Sequence, residues 1–230
     1  MRTLLVHGFT QTAASWDPVR PHLRGAPGET TALEVPDGLD WDATVAALGD
    51  AGGRGRWVGY SMGGRLALAL ALQRPDLVTS LVLVGAAAGI ADPAARAERV
   101  AADDRLAAEV ERDGLDAFLG RWLAQPLFAT LPAAAAGLDA RRAGNTVARI
   151  AHQLRALGQG SQPIYRDRLG ELGARGVPVL LVTGALDEKY CAIAADLATA
   201  IGPSARHATI AGVGHAAHLE RPEAFAALLD

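Results

Sequence analysis

The sequence predicts an α/β fold, a mostly parallel, doubly wound sheet with helices on both faces. Two observations carry this. Short runs of valine, leucine and isoleucine alternate with helix-prone stretches towards both ends of the 230-residue chain. Between residues 89 and 172 those runs stop, and alanine, arginine and aspartate take over.

Each element has its own local reason. Thr3–Val6 is an apolar run ending at His7-Gly8-Phe9, which reads as a buried strand. Residues 15–23 read as a first helix, and 31–35 as a second strand closed by Pro36-Asp37-Gly38. Residues 41–48 space their apolar side chains for an amphipathic helix. Residues 56–60 form a strand rising from a glycine-rich turn, and Met62–Gln73 a helix that Pro75 follows. Val78–Val84 has the composition of a strand covered on both faces. Residues 177–183 and 206–210 repeat that pattern, with helices at 192–200 and 222–229. The section 89–172 is too long for one crossover and reads as a helical cap inserted into a core made of residues 1–88 and 173–230. Within it, the bulky run from Trp122 to Phe128 suggests a packed corner.

Composition narrows the function. A net charge of −3 gives no electrostatic case for nucleic acid or an anionic membrane. No apolar run is long enough for a membrane-spanning helix, and the chain enters its first strand at once, leaving no room for a signal peptide. The single cysteine, Cys191, excludes an internal disulfide and fits a cytoplasmic location. A small molecule is the expected partner, with the chain a monomer or small homo-oligomer. No His, Cys and Asp cluster has metal-ligand spacing, so neither metal nor cofactor is expected.

The chemistry centres on Gly59-Tyr60-Ser61-Met62-Gly63. The bare pattern is weak among 26 glycines, and a serine capping a helix after a tight turn would match it too. Its flanks are informative: a strand before and a helix after make a nucleophile elbow, which lifts a serine hydroxyl clear of a sheet. A serine hydroxyl needs an imidazole to accept its proton, and the imidazole needs a carboxylate to fix its tautomer. Asp187 lies just beyond the strand at 177–183 and His215 just beyond the one at 206–210. Ser61, Asp187, His215 is the order found in α/β-hydrolases. Glu188 competes for the acid role, with a longer side chain. His218 reads as the start of the last helix or a solvent-facing group. His7 reads as structural, and His22, His152 and His207 as surface or packing residues. Negative charge developing on substrate oxygen needs preorganised donors, here the backbone amides of Phe9 and Met62. A phosphate loop at His7-Gly8-Phe9 lacks the required lysine and further glycines.

Beyond the superfamily motifs, the chain resembles the 2-succinyl-6-hydroxy-2,4-cyclohexadiene-1-carboxylate synthases of menaquinone biosynthesis, the MenH family. The likeness runs along most of the sequence: His7-Gly8-Phe9 with Trp16, Gly59 to Arg65, Arg96 to Arg99 with Asp103, Trp122 with Gln125 to Phe128, Arg142 with Asn145, Leu157 to Gly160 with Gln162-Pro163, and Gly184 with Asp187 to Tyr190. The resemblance implies a carbon–oxygen lyase that expels pyruvate from 2-succinyl-5-enolpyruvyl-6-hydroxy-3-cyclohexene-1-carboxylate by 2,5-elimination. Ser61 would then act as a base and need form no acyl-enzyme. It also implies that Arg65, Arg99 and Arg142 meet the substrate carboxylates, and that Tyr60 and Trp122 line the pocket or donate hydrogen bonds. On chemistry alone, Arg99 and Arg142 read as solvated cap residues among the many arginines there, and Tyr60 and Trp122 almost equally as core packing. Relatives carry further strands before the His-Gly-Phe loop, so the sheet is expected to be short at its N-terminal edge. They also have a proline turn where this chain has Gly85-Ala86-Ala87-Ala88-Gly89. The alternative is a serine hydrolase acting on an ester, thioester or carbon–carbon bond through an acyl-enzyme, and after it a non-catalytic ligand-binding member of the fold.

Overall fold

The computed structural model describes residues 2–24 and 28–229. Six strands form one sheet: β1 (Thr3–Val6), β2 (Thr30–Leu33), β3 (Gly55–Tyr60), β4 (Val78–Val84), β5 (Val179–Gly184) and β6 (Ala205–Ile210). Their order is β2-β1-β3-β4-β5-β6, and every neighbouring pair is parallel. Four-residue β2 is the edge, so the sheet is short on that side. From β1 the order runs outward in both directions, β2 to one side and β3 to the other. A crevice therefore opens at the carboxyl ends of β1 and β3, where the loops diverge.

The helices are α1 (Trp41–Gly52), α2 (Met62–Gln73), α3 (Pro93–Asp113), α4 (Leu115–Leu123), α5 (Leu138–Ala143), α6 (Val147–Leu157), α7 (Gly170–Ala174), α8 (Glu188–Ile201), α9 (Ala217–Glu220) and α10 (Pro222–Ala227). Strand side chains alternate between two cores, as the two-residue period requires. Leu4, Val6, Trp57, Leu81, Leu83 and Leu181 pack with α1, α2 and α8 on one face. Leu5, Val58, Val82, Val84 and Val182 pack with Trp16, Val19, α9 and α10 on the other. Met62 to Leu72 are all buried, so α2 is held on every side. Leu66, Leu68 and Leu70 are at most 1% exposed, each stabilising the fold by about 1.5–3 kcal/mol. Between β4 and β5, helices α3, α4 and α6 form a separate small core around Val110, Phe118, Leu119 and Ile150.

Some boundaries differ from expectation, each for a local reason. Residues 15–23 are not one helix; they form two 3₁₀ turns, Ala13–Trp16 and Arg20–His22. Pro18 and Pro21 lack the N–H groups that a continuous helix would use. Helix α8 starts at Glu188, four residues before the expected start, because the Asp187 carboxylate caps it by accepting from the Tyr190 N–H. Short α9 precedes α10, and His218 belongs to α9; it is fully buried, neither at the start of the last helix nor facing solvent. Among the described residues no helix is long and apolar enough to cross a membrane.

Candidate active site

Ser61 sits between β3 and α2 with φ +50° and ψ −107°, a conformation that L-residues rarely adopt. Such strain costs of order 1–3 kcal/mol and persists only where the surroundings enforce it. Here the Ser61 N–H donates to Val84 O at 2.8 Å, and neighbouring backbone closes over both flanks. A Cβ on Gly59 would lie 2.3 Å from Gly63 O, and one on Gly63 would lie 2.3 Å from Val6 O. Only glycine fits at either position.

The imidazole of His215 lies behind the serine. Its Nε2 is 3.3 Å from Ser61 Oγ, and its Nδ1 is 2.7 Å from Asp187 Oδ2. With Nδ1–H donating to the carboxylate, Nε2 is left to accept the serine proton. His215 and Asp187 are both buried, at 3% and 9% exposure, so water does not compete for that bond. The loop carrying His215 is held at Gly214, whose N–H donates to the Glu220 carboxylate. Gly85 leaves room for the ring: a Cβ there would lie 2.8 Å from His215 Cε1. Glu188, the competing acid, is the first residue of α8, and the carboxylate bonded to His215 is that of Asp187.

Ser61 and His215 open onto a cavity of about 300 Å³ whose wall includes Phe9, Tyr60, Met62, Arg65, Arg99 and Trp122. The backbone N–H groups of Phe9 and Met62 have no protein acceptor among the described residues, and Met62 is the first residue of α2, whose dipole favours negative charge there. Arg65 is buried; it donates to Leu157 O at 2.9 Å and Gly158 O at 3.2 Å, and lies over the Trp41 ring. Among the described residues no carboxylate pairs with it. Burial lowers its pKa to about 10, against the favourable field of Tyr190, so it is still charged at neutral pH. Arg99 is one-third exposed and already bound to Asp103 through Nε and Nη2, at 2.9 and 2.6 Å. That buried carboxylate aims the guanidinium at the cavity edge.

Arg142 is not brought to this cavity, contrary to the expectation from its sequence context. It lies on the outer surface, donating to Asp116 and Asp139 at 2.5 and 2.8 Å. On short α5 the adjacent Arg141 turns inward instead. Arg141 donates to Phe9 O, Thr10 Oγ1 and Ala136 O, and so braces the loop that presents the Phe9 amide. Neighbours on a helix point about 100° apart, so composition could not choose between them. Asn145, four residues after Arg141, fixes the same corner, its amide donating to Arg141 O and Thr10 O.

Aromatic rings join this loop to the helices above it. Trp122 meets Phe9 edge-on at 4.9 Å and stacks on Phe118 at 6.0 Å. Tyr60, on the core side, packs on His215 at 5.4 Å and on His218 at 4.3 Å. His7 is buried and structural, accepting from the Val35 N–H through Nε2. Among the described residues no group of three or more His, Cys, Asp or Glu could hold a metal ion.

Burial, with the nearby His215 and Arg141, pushes the pKa of His218 down to about 3. The unfolded value is near 6.5, so the unfolded chain binds this proton first as pH falls. Stability is therefore complete above pH 6.5 and is lost progressively towards pH 3, by about 2 kcal/mol already at pH 5. His218→Phe, which keeps the ring packing, is expected to remove that loss. Urea titrations of both proteins at pH 8 and pH 5 measure it; an equal drop in both would refute the assignment to His218.

Known proteins share this fold. The model of the alpha/beta hydrolase family matches residues 3–228. A Bacillus subtilis (strain 168) protein with the provisional name 2-succinyl-6-hydroxy-2,4-cyclohexadiene-1-carboxylate synthase is 38% identical over 177 residues, 75% of this chain but 63% of that protein. The synthase of that name from Pectobacterium atrosepticum is 31% identical over 234 residues, covering 96% of this chain and 89% of the relative. Among solved structures, MenH from S. aureus superposes with a TM-score of 0.88 at 25% identity, covering 99% of this chain and 91% of that one.

Proposed function

Because the chain belongs to the 2-succinyl-6-hydroxy-2,4-cyclohexadiene-1-carboxylate synthases of the α/β-hydrolase family, we propose that it is a carbon–oxygen lyase making that cyclohexadiene in menaquinone biosynthesis. The substrate is the 5-enolpyruvyl-cyclohexene precursor, and the second product is pyruvate. The observation that carries this reading is Arg65, a buried cation on the wall of the serine's cavity with no carboxylate partner among the described residues. An ester hydrolase has no need of such a charge, whereas a polycarboxylate meets it with paired hydrogen bonds.

In this mechanism Ser61 Oγ takes the ring C2 proton, which is acidified by the adjacent succinyl ketone, while its own proton passes to His215 Nε2. Asp187 holds the imidazole and stabilises its charge. The electrons of the broken C–H bond move onto the ketone oxygen, where the Phe9 and Met62 amides await them. They return through the ring, shifting the double bond and breaking the C5–O bond. The leaving enolpyruvate recovers a proton and becomes pyruvate, and no bond forms between Ser61 and carbon. Arg65 and Arg99 hold carboxylates, and Tyr60 and Trp122 shape the pocket. We place the reaction in the cytoplasm, with a free small molecule as substrate.

The test is direct. The purified protein is expected to release pyruvate from the enolpyruvyl-cyclohexene substrate with kcat/KM at least roughly 10³-fold above its value for activated aryl esters. Fast ester cleavage without pyruvate release would sink the lyase and leave a serine hydrolase.

A further inference from the structure

Helix α6 buries Ile150, Ala151, Leu154 and Leu157, and in the middle of that apolar stripe stands Gln153. It is 1% exposed, and among the described residues neither its amide nitrogen nor its amide oxygen has a hydrogen-bond partner. A leucine or methionine would fill the same place without the cost of an unmet amide. Gln153 lies on the wall of the cavity that Ser61 and His215 face. So does Trp122, whose buried indole N–H also has no partner among the described residues.

The chemistry of these atoms selects what they bind. An amide offers donors and an acceptor together, and an indole offers a donor only. A carboxylate can only accept, so it would leave Gln153 Oε1 unmet; an ammonium would leave the N–H groups unmet. A hydroxyl both donates and accepts. The substrate assigned above carries one hydroxyl, on ring carbon 6, next to the ring carboxylate on carbon 1. We infer that Gln153 is the receptor for this ring hydroxyl and so sets specificity for it. The hydroxyl donates to Gln153 Oε1, while Gln153 Nε2 and the Trp122 indole donate to the hydroxyl oxygen and its carboxylate neighbour. The arginines then read charge, and Gln153 reads the position of the uncharged oxygen.

This inference rests on the proposed substrate, and binding separates the two claims. In a Ser61→Ala background, in which turnover is slowed roughly 10³-fold, calorimetry compares the substrate with its 6-deoxy analogue. With Gln153 present, the hydroxylated ligand is expected to bind roughly 10-fold tighter. Adding Gln153→Leu is expected to bring the two within about twofold by weakening only the hydroxylated ligand, with no fall in Tm. Gln153→Met, similar in volume, serves in its place if the leucine variant does not fold. A ratio near one with Gln153 present, or one unchanged by its replacement, overturns the inference. Loss of pyruvate release by the wild-type protein with the ratio intact would overturn the assigned reaction and leave the receptor standing. Binding of neither ligand would overturn both.

Discussion

Ser61→Ala is expected to lower the rate of pyruvate release by roughly 10³-fold while leaving KM and Tm close to the wild-type values. Ser61 Oγ stands between His215 and the cavity, so removing it takes away the proposed proton acceptor and no binding contact of comparable strength. The fold should not notice. Alanine keeps the Cβ and meets the same positive φ, and the backbone bond from residue 61 to Val84 O is unchanged. Single-turnover measurements with intact-protein mass analysis complete the test. No covalent adduct should accumulate on the wild-type protein during elimination. Elimination by the alanine variant within tenfold of wild type would refute the base role, and an adduct on Ser61 would place the chemistry with the acyl-enzymes.

Arg65→Met should lower kcat/KM by roughly 10²-fold, most of it in KM, because a buried charge pair with the substrate is lost. Stability should change far less. Arg65 has a folded pKa depressed below its unfolded value, so its protonated form weighs against folding at neutral pH, and this burden fades only as pH rises above about 10. Methionine removes the burden and keeps much of the packing over Trp41, while forfeiting the donors to Leu157 O and Gly158 O. The two effects oppose one another, and Tm should move by a few degrees at most. Arg65→Lys retains charge without the planar fork and should recover only part of the loss. If Arg65→Met unfolds in proportion to its lost activity, Arg65 is a structural strut between α2 and α6 and not a substrate ligand.

The frame of this site was legible because each part is tied to the end of a strand. Ser61 follows β3, Asp187 follows β5 and His215 follows β6; β3 and β5 are buried strands that announce themselves by composition, while β6 is a half-exposed edge. The glycines around Ser61 carried similar weight, since only a crowded turn demands them. The helices between β4 and β5 were less legible. There the question is which way a side chain faces on a short polar helix, and Arg141 and Arg142 are chemically identical neighbours. Gln153 gave no signal either, because one glutamine in an alanine- and arginine-rich helix becomes conspicuous only when its burial and missing partners are known. The region 15–23 misled for the opposite reason: its apolar spacing suited a helix, and the prolines within it decided otherwise.

The Asp187 carboxylate divides its two oxygens between different tasks. One accepts from His215 and the other from the backbone of Tyr190, in the first turn of α8. Fraying of that turn would release the carboxylate to rotate, and the imidazole would lose its bearing with it. Catalytic alignment is thus anchored in the integrity of a helix start some distance along the chain from the serine. A destabilised α8 would show itself first as a slower enzyme, before any loss of folded protein.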